Sequence, residues 1–92
     1  METVEEGWHV YIVCCRDGTH YTGIARNLAR RLSEHNSARG GARYTRSRRP
    51  VKLVYAERAA SRSAAAKREY QLKRLPLASK RELIESSQHP LI

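Results

Sequence analysis

The chain has 92 residues, with 18 Lys and Arg against 9 Asp and Glu and a formal net charge of +9 at pH 7. This length predicts one domain over residues 1–92, with a small core in about 8–85. The basic excess indicates a polyanionic partner, most often nucleic acid, and the basic stretches lack the large apolar face of a membrane-binding helix.

The two cysteines, Cys14 and Cys15, are adjacent in the sequence. Successive strand side chains point to opposite faces, so this pair is poorly placed for a disulfide, and it lacks the spacing of a zinc site. We therefore expect reduced thiols and a cytoplasmic location. We also expect no signal peptide and no transmembrane segment, because the longest apolar run is only a few residues.

Two strands joined by a tight turn are predicted near the N-terminus. Residues 1–7 show no hydrophobic periodicity and are expected to fray. Residues 8–15 are apolar and β-prone, Arg16-Asp17-Gly18 is typical of a hairpin turn, and residues 19–23 complete the second strand.

The length of this turn decides where two tyrosines point. A two-residue turn at Asp17-Gly18 would place Tyr11 and Tyr21 on opposite faces of the sheet. A three-residue loop, with Gly18 in the left-handed position of a bulge, would pair Val13 with Tyr21 and place both tyrosines on one face. We predict the three-residue loop.

A helix is predicted over residues 25–36. Its apolar stripe at helical spacing consists of Ile24, Leu28 and Leu32. Arg31 and His35 are four residues apart and fall within or beside this stripe, whereas Arg30 points away from it. Polar residues are uncommon on a stripe that faces the core, so Arg31 and His35 are candidates for function.

Residues 37–49 are predicted to form a glycine- and arginine-rich connection that is either mobile or ordered by a polyanion. Tyr44 in this segment either stacks on a base or lies on the sheet. The arginines expected to contact nucleic acid here are Arg39, Arg43, Arg46, Arg48 and Arg49.

A third strand is predicted over residues 51–57, because apolar side chains alternate along it at Val51, Leu53 and Tyr55. A helix over 62–75 follows, with Ser61 or Ser63 as its N-cap. Its core side carries Ala65, Leu72 and Leu75. Pro76 ends this helix, a short helix spans 78–85, and 86–92 are expected to fray.

Five side chains on these elements form a set suited to cutting a phosphodiester bond. The reaction needs an oriented water, neutralisation of the charge on the phosphorane, a metal ion and help for the leaving group. Glu69, about 60° from the centre of the helix stripe, can hold one Mg²⁺ or Mn²⁺ ion, and Arg31 can pair with the phosphate. Tyr11 or His35 can accept a proton, and Tyr21 can bond the phosphate or Tyr11.

Each of these residues also has a purely structural interpretation. Tyr11 and Tyr21 suit a sheet core with satisfied hydroxyl groups, and His35 suits a buried helix position. Arg31 and Glu69 suit an ion pair between two helices. Only the joint pattern favours catalysis.

The order of these motifs resembles the GIY-YIG nuclease superfamily. Val10-Tyr11-Ile12 and Tyr21-Thr22-Gly23 are separated by about ten residues and precede Arg31 and His35. The sequence has His9 and Thr22 where the family motifs have glycine and isoleucine, as the short bacterial branch labelled UPF0213 does. That branch is also similar to this chain at Gly41-Ala42-Arg43-Tyr44-Thr45 and Lys67-Arg68-Glu69-Tyr70.

The resemblance covers residues 8 to about 85 and extends to the nuclease domain of the Slx1 structure-specific endonucleases. It implies an α+β fold with a three-stranded antiparallel sheet flanked by helices. It assigns the motif tyrosines, arginine, histidine and metal-binding glutamate to Tyr11, Tyr21, Arg31, His35 and Glu69. Arg26 matches a position that is basic in some relatives and is included among the residues expected to bind nucleic acid.

The function that the resemblance implies is DNA endonuclease activity that uses one divalent metal ion, with branched or damaged DNA as candidate substrates. Many relatives carry a separate domain that binds DNA or a partner, so a protein partner is expected to supply substrate specificity. The first alternative is a nucleic-acid-binding repair accessory module with weak or vestigial nuclease activity. The second is a protein directed to RNA, because an arginine-rich loop binds the phosphates of either polymer.

Overall fold

The fold was analysed in a computed structural model that describes residues 7–37, 40 and 42–87. In chain order the elements are β1 (Trp8–Cys14), β2 (His20–Ala25), α1 (Leu28–His35), α2 (Arg43–Arg46), β3 (Lys52–Ala59), α3 (Arg62–Lys73) and α4 (Leu77–Ser87). The strands form one antiparallel sheet in the order β2–β1–β3, flanked by the helices, so the predicted α+β class is confirmed.

The β1–β2 hairpin has the predicted three-residue loop. Val13 pairs with Tyr21, and Gly18 has a φ of 87°, the left-handed conformation that a glycine adopts without a steric penalty. Tyr11 pairs with Gly23 two residues further along the strand. Tyr11 and Tyr21 therefore lie on one face of the sheet, which we call the tyrosine face.

A β-bulge in β3 changes which residues share a face. Ile12 pairs with Tyr55 and Val13 with Leu53, so Val54 is an extra residue on β3. Leu53 consequently packs on the tyrosine face and Tyr55 on the opposite face. The prediction that Val51, Leu53 and Tyr55 share one side was wrong at Tyr55 for this reason.

The sheet has a hydrophobic cluster on each face. On the tyrosine face, α1 contributes Leu28 and Leu32 to the cluster formed by Tyr11, Val13, Cys15, Ala25, Val51 and Leu53. On the other face, α3 and α4 cover the cluster formed by Val10, Ile12, Tyr55, Ala65 and Leu72. The sheet is thus a middle layer between α1 and the α3–α4 pair.

Helix α1 is shorter than the predicted range 25–36. Strand β2 continues to Ala25, which pairs with His9, and α1 begins only at Leu28 behind the N-cap Asn27. The Asn27 side chain accepts a hydrogen bond from the Arg30 backbone N–H at 3.0 Å. Ile24 is therefore a strand residue that packs on the face opposite α1, and the predicted apolar stripe was wrong at this position.

The C-terminal helices differ slightly from the predicted ranges 62–75 and 78–85. The N-cap of α3 is Ser61, whose Oγ accepts from Ala64 N at 3.1 Å, and α3 ends at Lys73. Helix α4 runs to Ser87, so the fraying predicted from residue 86 was wrong for its first two residues, whereas 88–92 and 1–6 lie outside the described residues. No helix in the part of the chain that the structure describes is long and apolar enough to cross a membrane.

Candidate active site

The hydroxyl group of Tyr11 is the centre of a hydrogen-bond network on the tyrosine face. Tyr11 is 2% exposed, and its Oη lies 2.8 Å from His35 Nε2. Arg31 Nε donates a longer hydrogen bond of 3.4 Å to the same oxygen. The structure therefore brings together the first motif tyrosine and both polar residues of α1 that the sequence singled out.

Gly23 makes room for the Tyr11 side chain. A Cβ at this position would lie 2.6 Å from Tyr11 Oη and 2.8 Å from Tyr11 Cζ, closer than side-chain atoms approach in real proteins. The glycine of the second motif therefore has a steric role, because only a residue without Cβ leaves the Tyr11 ring in place.

Gly23→Ala is expected to lower the free energy of unfolding by about 1–3 kcal/mol, because the Tyr11 ring must move out of a packed site. The shift is also expected to break the hydrogen bond between Tyr11 and His35. Urea denaturation measures the first effect, and the imidazole NMR signals of His35 measure the second. Gly18→Ala is a matched control: it strains the turn but meets no atom within 4 Å, so the His35 signals should not change.

His35 is held from both ring nitrogens. It is 0% exposed, Nε2 faces Tyr11 Oη, and Nδ1 lies 2.8 Å from Thr45 Oγ1. Thr45 is also 0% exposed and donates its single hydroxyl hydrogen to the Ala42 carbonyl at 3.0 Å. Nδ1–H must then donate to Thr45, which leaves Nε2 unprotonated as the acceptor for the Tyr11 hydroxyl.

One longer contact would suit the other tautomer of His35. The Ala42 backbone N–H lies 3.4 Å from Nδ1 and would need that nitrogen to be unprotonated. The two contacts of Thr45 are shorter, at 2.8 and 3.0 Å, and give both the Nδ1 hydrogen and the Thr45 hydroxyl hydrogen an acceptor. We therefore assign the proton to Nδ1.

Burial shifts the pKa values of Tyr11 and His35 in opposite directions. Desolvation, followed by the charge of Arg31, lowers the pKa of His35 to about 4. Desolvation raises the pKa of Tyr11 to about 12, although the hydrogen bond from Arg31 acts in the opposite direction. At neutral pH the imidazole is therefore neutral and the phenol is protonated, in agreement with the assigned hydrogen-bond directions.

The stability of the protein is expected to fall as the pH falls from about 6.5, the ordinary pKa of histidine, towards 4. His35 has a pKa of about 4 in the folded chain. Between these pH values the unfolded chain binds more protons than the folded chain does. The free energy of unfolding therefore falls by at most about 3 kcal/mol. Urea denaturation across this range measures it.

The control for this pH effect is the comparison of His35→Gln with His20→Gln. Burial also lowers the pKa of His20, followed by repulsion from Lys80 and Arg81, but His20 lies outside the network. In the His35 variant, the free energy of unfolding should lose most of its histidine-dependent change with pH. The His20 variant should retain that change. Equal slopes in wild type and His35→Gln would contradict the assignment.

Aromatic rings extend from the network towards the surface. The Tyr21 ring lies edge-on to His35 with 5.3 Å between ring centroids, and it stacks on Tyr44 at 5.9 Å. The Arg48 guanidinium lies 4.1 Å from the centroid of the Tyr44 ring and donates to the Tyr44 carbonyl at 2.8 Å. Tyr44 therefore packs against Tyr21 of the sheet, and the residue remains 38% exposed.

Glu69 reaches the same region from α3. Its Oε2 lies 3.1 Å from Lys73 Nζ, and that ammonium is 6.0 Å from the centroid of the Tyr21 ring. The carboxylate of Glu69 is also one of the charges that raise the pKa of Tyr11. Arg31 instead pairs with Glu34 at 3.0 Å, so the ion pair between Arg31 and Glu69, which was the structural alternative, is not formed.

The segment predicted as an arginine-rich connection over 37–49 is partly helical and partly ordered by protein groups. Helix α2 spans Arg43–Arg46, and both arginines at its ends are exposed. Arg48 pairs with Asp17 at 3.1 Å, and Arg49 donates to the carbonyl of Ser37. The prediction that this segment is either mobile or ordered by a polyanion was wrong for these residues, and Arg39 lies outside the described residues.

Two residues of this region were not singled out from the sequence. Thr45 was noted only as part of a motif, and nothing in the sequence indicates that its hydroxyl reaches His35. Lys73 follows Glu69 by four residues, a spacing that favours an ion pair on a helix and was a usable signal.

The donor set limits the kind of metal site that the protein can form. Among residues 7–37, 40 and 42–87, no group of three or more His, Cys, Asp and Glu side chains lies close together. Glu69 offers a single hard carboxylate, which is paired with the ammonium of Lys73. This fits Mg²⁺ or Mn²⁺, which can be held by one carboxylate with water and phosphate as further ligands, and does not fit a closed zinc site.

The three-stranded antiparallel sheet, with tyrosine, arginine and histidine side chains joined by hydrogen bonds on one face, defines a small α+β protein. Residues 7–82 match the GIY-YIG catalytic domain, so the chain belongs to the GIY-YIG family. It is 59% identical over 87 residues to a UPF0213 protein of Desulfotalea psychrophila, covering 95% of this chain and 79% of that one.

Two further relatives agree with this assignment. A UPF0213 protein of Syntrophus aciditrophicus is 51% identical over 79 residues, covering 86% of this chain and 91% of that one. The solution NMR structure of a UPF0213 protein from Bacillus halodurans has a TM-score of 0.57 and 37% identity, and the match covers 91% of this chain and 88% of that one. The α+β fold and the predicted UPF0213 branch are thereby confirmed.

Proposed function

We propose that this protein is a DNA endonuclease that hydrolyses phosphodiester bonds with one divalent metal ion, Mg²⁺ or Mn²⁺. Membership of the GIY-YIG family implies a nuclease, and the finer assignment depends on one observation. The Tyr11 hydroxyl is held between His35 Nε2 and Arg31 Nε, at 2.8 and 3.4 Å, and the charge of Glu69 contributes to the raised pKa of this hydroxyl. This observation supports the proposal that an oriented proton carrier, a cation for the phosphate and a carboxylate able to hold a metal ion act together.

The network suggests how a water molecule is activated. Tyr11 Oη accepts a proton from the attacking water while it passes its own proton to His35 Nε2, so the phenol relays the proton and the imidazole receives it. The pKa of His35 is about 4 in the protein alone. The negative charge of a bound phosphate raises that pKa towards neutral pH, which makes the imidazole a better base when substrate is present.

Arg31 and Glu69 supply the electrostatic part of the proposal. Arg31 Nε bonds Tyr11 and Nη1 bonds Glu34, which leaves Nη2 to meet a phosphate oxygen, since no contact to it is found within the described part of the chain. Glu69 would hold the Mg²⁺ or Mn²⁺ ion, whose positive charge stabilises the negative charge that develops on the phosphate oxygens. Tyr21, whose ring centroid lies 5.3 Å from that of His35, is proposed to bond the phosphate.

Thr45 is proposed as the residue that fixes the tautomer of His35. Thr45→Val keeps the shape of the side chain but removes the hydroxyl that Nδ1–H requires, so we expect the cleavage rate to fall by about 10- to 100-fold. Single-turnover cleavage measures this. Thr45→Ser retains the hydroxyl and should retain most of the rate. A Val variant that is as active as wild type would show that the tautomer is fixed by other groups.

The experiment that tests the nuclease is cleavage of labelled linear, flapped, branched and damaged DNAs with Mg²⁺ or Mn²⁺. Cleavage that is abolished by chelation supports the proposal, and the preferred substrate identifies the DNA structure. Metal-independent or absent cleavage by a pure, folded protein, with and without a candidate partner, would overturn it. We further propose that a partner protein supplies specificity and that the protein acts in the cytoplasm, consistent with its free cysteines Cys14 and Cys15.

A second candidate function is a nucleic-acid-binding repair accessory module with vestigial activity. The observation that favours it is the ion pair between Lys73 and Glu69, because an ammonium occupies the carboxylate that a metal ion would need. Salt-sensitive DNA binding without metal-dependent turnover would favour this function. Competition between DNA and RNA of equal length separates both candidates from an RNA-directed protein.

A further inference from the structure

A cleft of about 350 Å³ adjoins the candidate active site and is not part of the catalytic motif. Its walls include Trp8, Ile24, Arg26, Arg30, Arg31 and Glu34. Arg31 is shared, because the same side chain lines the cleft and donates to Tyr11 Oη. A DNA strand whose phosphate lies at Arg31 therefore has a neighbouring nucleotide beside this cleft.

The chemistry of the cleft combines an aromatic face with positive charge. Trp8 is half-buried, and the guanidinium groups of Arg26 and Arg62 lie 5.8 and 5.7 Å from the centroid of its ring. Both arginines are exposed, so their side chains can move aside or cover the outer face of a bound ring. Arg30 adds a side chain that is 78% exposed. The one carboxylate on the wall, Glu34, is paired with Arg30 and Arg31 at 3.3 and 3.0 Å.

We propose that this cleft binds one unpaired nucleobase of a DNA strand by stacking it on Trp8, with Arg26 and Arg30 contacting the flanking phosphates. Aromatic side chains beside basic ones are the usual means of holding single-stranded nucleic acid, because every base has a face that can stack. A base inside a duplex has both faces covered by its neighbours. The cleft thus favours DNA with an unpaired nucleotide next to the bond that is cut, such as a flap or a gap.

This inference rests on the proposed function only in taking DNA as the substrate, and binding can be tested without cleavage. Trp8 is the only tryptophan in the chain, so its fluorescence reports on this cleft alone. The protein is titrated, with chelator present, with a single-stranded oligodeoxynucleotide, a fully paired duplex of equal length and an abasic strand with the same number of phosphates. We expect saturable quenching by the single strand and much weaker quenching by the other two.

Variants then test whether stacking contributes to affinity. Both Trp8 variants lack the fluorophore, so their affinities are measured by anisotropy of a labelled strand. Trp8→Leu should weaken binding of the single strand about 10-fold, with little effect on the duplex, and Trp8→Phe should restore most of the affinity. Arg26→Ala is compared with Arg74→Ala, which removes the same charge from another arginine–ring pair, with Tyr70 at 5.3 Å. Only the Arg26 variant should weaken quenching. Duplex binding and circular dichroism verify that each variant is folded.

Several results would overturn the inference. They are equal quenching by abasic and normal strands, unchanged affinity in a folded Trp8→Leu variant, or quenching by an RNA strand but not by the DNA strand. A different set of results would refute the proposed nuclease function and leave this inference standing. In that case the single strand quenches Trp8 fluorescence and Trp8→Leu weakens binding, but no DNA is cut with any metal ion. Cleavage without quenching refutes the stacking site alone.

Discussion

Glu69→Gln is expected to lower the rate of DNA cleavage by about a thousandfold or more while DNA binding is retained. The amide is nearly the same size as the carboxylate but has no charge, so it cannot hold the divalent ion that the proposed reaction needs. Binding should be unchanged or slightly tighter, because one negative charge near the phosphates is lost. Single-turnover cleavage at increasing Mg²⁺ and Mn²⁺, with anisotropy of labelled DNA, measures both quantities.

The matched control for this variant is Glu57→Gln. Both carboxylates are ion-paired and similarly covered: Glu57 with Arg68 at 2.7 Å and 27% side-chain exposure, and Glu69 with Lys73 at 3.1 Å and 23%. Glu57 accepts a hydrogen bond from Tyr55, which packs on the face opposite the tyrosine face. Glu57→Gln should lower stability but leave cleavage intact. Equal loss in both variants would mean that Glu69 acts through folding and not through the metal ion.

Lys73 provides a second measurement that separates the two candidate functions. If the ammonium only occupies Glu69 until a metal ion arrives, Lys73→Met should tighten Mn²⁺ binding and cleavage should become saturated at lower Mn²⁺. If the site is vestigial, Lys73→Met should leave the protein without turnover at any Mn²⁺ concentration. Isothermal titration with Mn²⁺ reports the first effect independently of activity.

Local signals were enough to predict the parts of the site that depend on short-range geometry. Arg16-Asp17-Gly18 predicted a hairpin turn of two or three residues, and we predicted the longer one; the three-residue loop determines that Tyr11 and Tyr21 share a face. The four-residue spacing of Arg31 and His35 likewise placed both on the core side of α1, where the structure shows them bonded to Tyr11.

The errors arise where tertiary contacts override the local pattern. Ile24 fits a helical stripe, but pairing of β2 with β1 continues through Ala25, so Ile24 is a strand residue on the other face. The bulge at Val54 turns Tyr55 to the opposite face of the sheet. The alternation of side chains along a strand does not predict such a bulge. Thr45 reaches His35 across ten residues of sequence, through a helix that glycine- and arginine-rich composition does not predict.

Tyr11→Phe is expected to lower the cleavage rate by about 100- to 10,000-fold with little change in DNA binding, because it removes only the hydroxyl that relays the proton. It also leaves His35 Nε2 as a buried acceptor without its partner, which should cost about 1–3 kcal/mol of stability. Tyr55→Phe is the matched control: Tyr55 is also buried and donates its hydroxyl hydrogen, in this case to Glu57. The Tyr55→Phe variant should lose a similar amount of stability and still cleave DNA.

The pH dependence of the wild-type rate distinguishes the relay from direct attack through a phenolate. The pKa of Tyr11 is about 12, so a phenolate mechanism predicts a rate that keeps rising through pH 10 as more of the phenol ionises. In the relay the phenol stays protonated and His35 must be neutral. The rate then falls only below the pKa of His35, which bound phosphate raises from about 4, and is level above it. A plateau at neutral pH that is lost in His35→Gln identifies the imidazole as the final proton acceptor, and a rate that still climbs in alkali would refute the relay.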